Sequence, residues 1–407
     1  MTAVVIATAS NGGMIEATTS SAANPDRAAP PPDGYSAQRQ KFPALMAFAD
    51  VLAQIETFDA IIDVRSPGEF AEDHLPGAIN CPVLDDAERI HIGTLYKQIN
   101  AFEAKKAGAA LVSRNIGNHI EARFMNKPRD WKPLVYCWRG GNRSGAMAYV
   151  LARIGWHAVQ LDGGYKEYRR HINTVLTTLP GQFRYQVICG TTGSGKSRLL
   201  QTLAAAGAQV LDLELLAAHR GSVLGHLPDA PQPSQKMFET RIWEALRDFD
   251  PAVEVFIESE SKKVGNVRVP EALMNAMRAA PCIALELPDA ARVALLMADY
   301  AHFVESPEAL NRQLDCLTTL YGAAPIKRWQ TMASSGAMEP LVSELLAQHY
   351  DPAYRRSISR NFSQFGTARL LEIPAFSDAA FAAAAARLYP PTAPHLSAAL
   401  PPAIDAP

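Results

Sequence analysis

Residues 190–197 read Gly-Thr-Thr-Gly-Ser-Gly-Lys-Ser, directly after the apolar run Tyr185-Gln186-Val187-Ile188-Cys189 and directly before the helical Arg198-Leu199-Leu200-Gln201-Thr202-Leu203. A G-x-x-x-x-G-K-S segment works only when a strand delivers it and a helix follows it, and this chain supplies both. Gly190, Gly193 and Gly195, with Ser194 among them, let backbone N–H groups wrap a phosphate. The helix N-terminus adds its field, Lys196 brings a point charge, and the Ser197 hydroxyl can coordinate Mg²⁺. A diphosphate is the expected ligand, with occupation by a nucleotide left open. Further strand candidates at 209–213, 253–257 and 282–287 make this an α/β unit on a parallel sheet. None of these strands ends in the Asp that usually positions a metal. Asp212 and Glu258 stand nearest, and either could equally be a solvated carboxylate at a strand end.

A second loop carries different chemistry. Residues 135–145 read Val-Tyr-Cys-Trp-Arg-Gly-Gly-Asn-Arg-Ser-Gly, so a strand delivers Cys137 to a turn and a helix begins near Ser144. Gly140 and Gly141 permit backbone conformations closed to other residues, and the amides of Trp138, Asn142 and Ser144 can then converge on one point. A thiolate there gains from those dipoles, from the helix N-terminus and from Arg139 and Arg143, and the same cradle fits a tetrahedral oxyanion. The competing reading is a small buried side chain at a strand end, the commoner fate of an intracellular cysteine. The five cysteines are scattered and show no paired ligand spacing, so neither a disulfide scaffold nor a zinc site is expected.

Upstream, Asp63-Val64-Arg65-Ser66-Pro67-Gly68-Glu69-Phe70 and His74-Leu75-Pro76-Gly77-Ala78-Ile79-Asn80, with Leu161-Asp162-Gly163-Gly164-Tyr165 downstream, resemble the signatures of the rhodanese family. The resemblance covers about residues 45–175 and implies a sulfur-transfer role for Cys137. In it His74 shapes a turn, and Cys81 reads as core. The spacing departs from many single rhodanese domains, since Cys137 to Arg143 is Cys-x5-Arg where those have Cys-x4-Arg. The wider ring suits a phosphate-bearing donor and keeps open a thiol phosphatase, although Tyr136 stands where such phosphatases usually have histidine.

Three more stretches surround the second unit. "AHRGSVLG" (218–225) offers His219, Arg220 and Ser222, and "QPSQKMFET" (232–240) brings Gln235 and Lys236 to a helix start. "ESESKKVGNVRVP" (258–270) adds Glu258, Glu260, Lys262, Lys263 and Arg268. As loops they would be solvated charge; beside the phosphate loop they would line a substrate channel. Together with Cys-Trp-Arg-Gly-Gly-x-Arg-Ser fused to a phosphate-loop unit, they resemble the tRNA 2-selenouridine synthase family over about residues 45–365. That resemblance implies replacement of sulfur by selenium in wobble-position 2-thiouridine. The resemblance also implies selenophosphate as the selenium donor and S-geranyl-2-thiouridine, formed from geranyl diphosphate, as the intermediate. It implies Cys137, Arg139 and Arg143 at the selenium step and Gly190 to Ser197 at the prenyl diphosphate. tRNA would be the partner, with a possible second partner in the enzyme that makes selenophosphate. Candidate tRNA contacts are Lys166, Arg169, Arg170, Lys262, Lys263, Lys327, Arg328 and the cluster Tyr354-Arg355-Arg356 with Arg360. The alternative is a rhodanese-type sulfurtransferase or Cys-x5-Arg phosphatase joined to an ATP-dependent module, or a phosphate-sensing regulator without activity.

The expected fold is therefore α/β: a rhodanese-like domain over 41–178, a P-loop NTPase-like parallel domain over 182–290, and a mainly helical extension over 291–389. Strands are expected to stop near 290, with a short apolar segment and an Ala-rich helix near 377–388 closing the extension. Residues 1–40 and 390–407 read as disordered tails, being Ala, Ser, Thr and Pro-rich with little apolar periodicity. With 39 basic against 41 acidic residues in 407, any nucleic-acid binding must rest on local patches. No apolar run approaches the roughly 20 residues of a membrane span, and no leader pattern opens the sequence, so a cytoplasmic protein is expected.

Overall fold

A computed structural model describes residues 42–222, 224–227 and 230–390. The tails expected at 1–40 and 390–407 lie outside these residues, Pro390 excepted.

The first sheet is built from β1 (Ala44–Met46), β2 (Ala60–Asp63), β3 (Ala78–Asn80), β4 (Pro133–Tyr136) and β5 (Val159–Leu161), in the order β1-β5-β4-β2-β3. Every pairing is parallel. The sequence of β4, Pro-Leu-Val-Tyr, is buried at all four positions, as a strand with helices on both faces must be. The helix Asn142–Ile154 follows β4, and a helical hairpin of Asp86–Gln98 and Ala101–His119 intervenes between β3 and β4.

The second sheet joins β6 (Tyr185–Cys189), β7 (Gln209–Leu211), β8 (Val255–Glu258), β11 (Cys282–Glu286) and β12 (Arg369–Glu372) in the order β12-β11-β6-β8-β7, again all parallel. A two-stranded antiparallel ribbon of β9 (Lys263–Val264) and β10 (Val267–Arg268) stands apart from it. Strand β12 lies beyond the point where strands were expected to stop. Its four residues Arg-Leu-Leu-Glu bury only Leu371 and sit on the sheet edge, too short a stretch to show a strand period in sequence. The expected Ala-rich helix is present as Asp378–Leu388, with the Ser377 hydroxyl accepting from the Ala380 amide as N-cap.

One apolar cluster runs through both units. Tyr168, Ile172 and Leu176 of the first share it with Phe183, Tyr185, Phe238 and Trp243 of the second. A separate cluster around Phe303, Leu314, Trp329 and Leu341 holds the helical extension together. No helix among the described residues is long and apolar enough to cross a membrane.

Candidate active site

Both loops singled out in the sequence leave the middle strand of a five-stranded parallel sheet at its C-terminal end, Cys137 after β4 and Gly190 after β6. Crevices at that end are where open α/β sheets bind ligands.

The Cys137 loop is held by close backbone packing against residues 161–164. Gly140 and Gly164 both adopt positive φ, at 63° and 58°. A Cβ on Gly164 would stand 2.2 Å from the Cys137 carbonyl oxygen, and one on Gly140 would stand 2.5 Å from that of Leu161. Only glycine fits at either place. The amides of Tyr165 and Lys166 donate to the carbonyls of Cys137 and Trp138 at 2.8 and 2.9 Å. The Gln160 amide group reaches the Gly140 carbonyl at 2.5 Å and Ser144 Oγ at 3.1 Å. Ser144 Oγ in turn donates to Cys137 Sγ at 3.2 Å, so the sulfur already faces a hydroxyl and a helix start. Trp138 tilts against Tyr165 with ring centroids 5.2 Å apart.

The two arginines play different parts. Arg143 is engaged by Glu69, Nη1 to Oε2 at 2.7 Å, and Arg89 pairs with the same carboxylate at 3.0 Å. Burial alone would raise the Glu69 pKa, but the Arg143 hydrogen bond and the charges of Arg143 and Arg89 outweigh it, and the net shift is downward. Arg139 and Asn142 are exposed, and Arg139 makes no ion pair among the described residues, which leaves its charge available to an incoming anion. Behind the loop, Asp63 and Arg65 form a buried pair at 2.6 Å, and the Arg65 guanidinium lies 4.0 Å from the Tyr165 ring centre. His74 stacks on Phe70 and hydrogen-bonds its carbonyl at 2.9 Å, and Cys81 is fully buried. Both match their structural readings.

The phosphate loop has Gly193 and Gly195 at φ of 76° and 85°. Lys196 Nζ donates to the Gly190 carbonyl at 2.8 Å and faces the Tyr354 ring. Arg292 grips the opposite side of the loop: its Nε and Nη2 donate to the Thr192 carbonyl at 3.1 and 2.8 Å, while Asp351 holds the same guanidinium at 2.6 Å. Ser197 Oγ donates to Glu214 Oε2 at 2.8 Å, and the Glu214 amide donates to Glu258 Oε1 at 2.8 Å. Glu258 Oε2 is buried with no hydrogen-bond partner. A Cβ on Gly221 would meet both Glu214 Oε1 and Glu260 Oε1 at 2.5 Å, which brings the "AHRGS" loop down onto these carboxylates. At its first residue, Ala218 adopts φ of 48°, a strained conformation for a residue with a side chain.

Burial, then its neighbours Asp212 and Glu214, drives the Glu258 pKa well up, and burial with Glu214 does the same to Glu260. Asp212, buried beside Glu214, is pushed up to about 6. Such a group binds its proton more tightly folded than unfolded. Its contribution to stability is complete below about pH 4 and lost as pH rises through about 6. Asp212→Asn keeps the acceptor that caps the Leu215 amide and never ionises. The melting temperature of D212N should therefore gain on that of the unchanged protein between pH 4 and pH 7. Parallel pH curves would show that Asp212 does not titrate there.

The orphaned Glu258 oxygen and the Ser197 hydroxyl suit a hard cation such as Mg²⁺. Among the described residues no three His, Cys, Asp or Glu side chains are close enough to hold an ion by themselves. Mg²⁺ would thus complete its shell with water and ligand phosphate oxygens, its usual habit.

Of the expected channel residues, His219, Arg220, Ser222, Glu258 and Glu260 gather around the phosphate loop. His219 is buried, and burial and then His226 lower its pKa. Arg220 pairs with Asp299 at 3.3 Å over the Tyr300 ring. Gln235 and Lys236 are held elsewhere, Gln235 within the second unit and Lys236 in the joint between the two units. Gln235 pairs with the backbone of Arg268, and Lys236 reaches Glu72 at 2.7 Å. The centre of that joint is Asp73, fully buried, which accepts from Tyr165 Oη at 2.7 Å and Thr240 Oγ1 at 2.8 Å. Arg169, bound to Glu239 and near Asp73, belongs to the joint and is not a free cation. Arg170 and Arg328 pair with Glu167 and Glu344. Lys166, Lys262, Lys263, Lys327, Arg355, Arg356 and Arg360 are exposed, the last three on the helix Asp351–Asn361, whose Tyr354 faces Lys196. Asp73, Glu214 and Arg292 have no signal in the sequence, because each acts through partners distant along the chain. Glu69 was visible only as a letter of the rhodanese signature.

Two family models match successive segments of the chain. Residues 47–171 match the rhodanese-like domain and residues 183–315 the tRNA 2-selenouridine synthase AAA domain. A tRNA 2-selenouridine synthase from Nitrosomonas europaea is 35% identical over 59% of this chain, and the match spans 63% of that protein, just under two thirds. One from Sulfurovum sp. is 33% identical over 75% of this chain and 90% of its own length. One from Hydrogenovibrio crunogenus is 37% identical over 59% of this chain and 67% of its own.

Proposed function

The chain belongs to the tRNA 2-selenouridine synthase family, and from that premise we propose that it converts 2-thiouridine at the tRNA wobble position into 2-selenouridine in two steps. In the first, the 2-sulfur attacks C1 of geranyl diphosphate, forming the C–S bond as the C–O bond to diphosphate breaks. In the second, the selenium of selenophosphate attacks C2 of the S-geranyl base, forming the C–Se bond as the C–S bond breaks and geranylthiolate leaves, and water then takes the phosphoryl group, breaking the P–Se bond to release phosphate. Alkylation matters because it turns a poor leaving group into a better one. Selenophosphate and geranyl diphosphate are both anionic, and the scheme needs a cradle for each.

The observation that carries this reading is the presence of two such cradles, each on the middle strand of its own sheet, joined through one continuous apolar core. The Cys137 loop, with Arg139 free and Ser144 against the sulfur, handles selenophosphate or the transferred selenium. Gly190 to Ser197 hold the diphosphate, where Mg²⁺ on Ser197 and Glu258 would offset its charge. The tRNA would cross the exposed basic face of Arg355, Arg356 and Arg360, on the helix that also covers Lys196.

Lys196→Met tests the assignment. It should lower geranylation of a 2-thiouridine tRNA by on the order of 10²-fold, the usual effect of removing a charge that receives a departing anion. Conversion of already geranylated tRNA should be spared. Nucleoside mass spectrometry reads both steps, and an unchanged geranylation rate would overturn the placement of the donor.

A further inference from the structure

The geometry points to a built site for an isoprenoid chain in the helical extension, reached directly from the phosphate loop. This rests on the reading that the loop holds a prenyl diphosphate. Between the helix Asp289–Asp299, the helix Ala301–Glu305 and the helix Met338–Leu345 lies a cleft of about 550 Å³, counting the part open to solvent.

Three observations fix what the cleft takes. First, its wall is aliphatic and aromatic, with Leu296, Met297, Phe303 and Leu345 prominent, and the only other polar groups are Thr192, Ser222 and tyrosine hydroxyls. It has no charged side chain. Second, it starts at the phosphate loop. Thr192 is a loop residue, and Leu296 presses on the loop so closely that a Cβ on Gly193 would lie 2.9 Å from its Cδ1. The Arg292 grip on the Thr192 carbonyl keeps this helix and the loop in register. Third, the far wall includes Leu346 and Tyr350 from a π-helical turn, Leu346–Tyr350. Such widened turns recur at functional sites. A ligand with two phosphates on the loop and an apolar prenyl tail beyond them matches this order of polar and apolar surface. Met297 and Val342, half-buried on the wall, are then the residues that measure the tail.

The test measures binding of inorganic pyrophosphate and of dimethylallyl, geranyl and farnesyl diphosphates to the full chain with Mg²⁺. Each buried methylene is worth about fourfold in affinity, so the unchanged protein should bind geranyl diphosphate at least about tenfold more tightly than pyrophosphate. Met297→Trp should abolish most of that advantage, shift preference toward the dimethylallyl donor and leave pyrophosphate affinity within about twofold. Met297→Ala should shift preference toward the farnesyl donor, and Val342→Phe should repeat the narrowing from the opposite wall. Thermal melting of each variant establishes that it is folded.

The failures are distinct. If the unchanged protein binds geranyl diphosphate no better than pyrophosphate, the prenyl-donor reading falls and the cleft assignment with it. If it prefers geranyl diphosphate but the folded variants keep the same chain-length order, the donor reading stands and the cleft assignment is overturned. A nucleoside triphosphate that outcompetes geranyl diphosphate and responds to Met297→Trp would also overturn it.

Discussion

On the role proposed for its thiol at the selenium step, Cys137→Ala should abolish selenouridine formation, with a loss of about 10³-fold or more, the scale seen when a reacting group that works with its surroundings as a unit is removed. The side chain is buried at 4% exposure, and its sulfur contacts Ser144 Oγ, so alanine leaves a small gap rather than an unpaired charge. The loop itself is held by Gly140, Gly164 and Gln160 and does not depend on the thiol. Stability should therefore change by no more than about 1–2 kcal/mol, and S-geranyl-2-thiouridine should accumulate in tRNA. Nucleoside mass spectrometry distinguishes the outcomes. Normal selenouridine in the variant would remove the thiol from the chemistry.

Asp73→Ala should be the most damaging single substitution away from either loop. The carboxylate is fully buried and accepts from Tyr165 of the first unit and Thr240 of the second, with Arg169 at 3.7 Å. Its removal leaves two buried hydroxyl donors without their acceptor and takes one of the two carboxylates away from the Arg169 guanidinium. Breaking a buried charge network in this way costs about 3–5 kcal/mol. The loss falls at the joint, so denaturant unfolding should change from one cooperative transition toward two. Asp73→Asn, which keeps one acceptor oxygen, should lie between. A single unshifted transition for the alanine variant would mean that the apolar core alone holds the units together.

The sequence made both loops legible because their chemistry is local. Gly190 to Ser197 and Cys137 to Ser144 are contiguous, and their flanking strands are short apolar runs bounded by glycine. What escaped was non-local. Gln235 and Lys236 look like site residues in a polar loop, yet their partners are Arg268 and Glu72, the latter 164 positions away. Arg292 reads as one charge in an amphipathic helix, and only the fold brings it onto the Thr192 carbonyl. Strand β12 pairs with β11 across more than eighty residues of helix, and nothing in Arg-Leu-Leu-Glu announces that pairing. In sequence Arg143, at the end of the Cys-x5-Arg spacing, stands beside Arg139 as an equivalent charge around Cys137. Its ion pair with Glu69 gives it a partner of its own, and Arg139 is the freer charge.

The position of the two loops on middle strands also sets their dynamics. Backbone amides in β4 and β6, flanked on both sides by hydrogen-bonded neighbours, open only when a large part of the domain opens. Hydrogen exchange at Leu134–Tyr136 and Val187–Cys189 should be among the slowest in the chain, and each loop is rigid at its root. The outer wall of the cleft beside the phosphate loop is made instead by the short helices Ala301–Glu305 and Met338–Leu345, whose buried side chains lie in the separate cluster of the helical extension. Ligand entry and product escape would then draw on the fluctuations of that helical layer, while the anion-holding geometry stays fixed through the cycle.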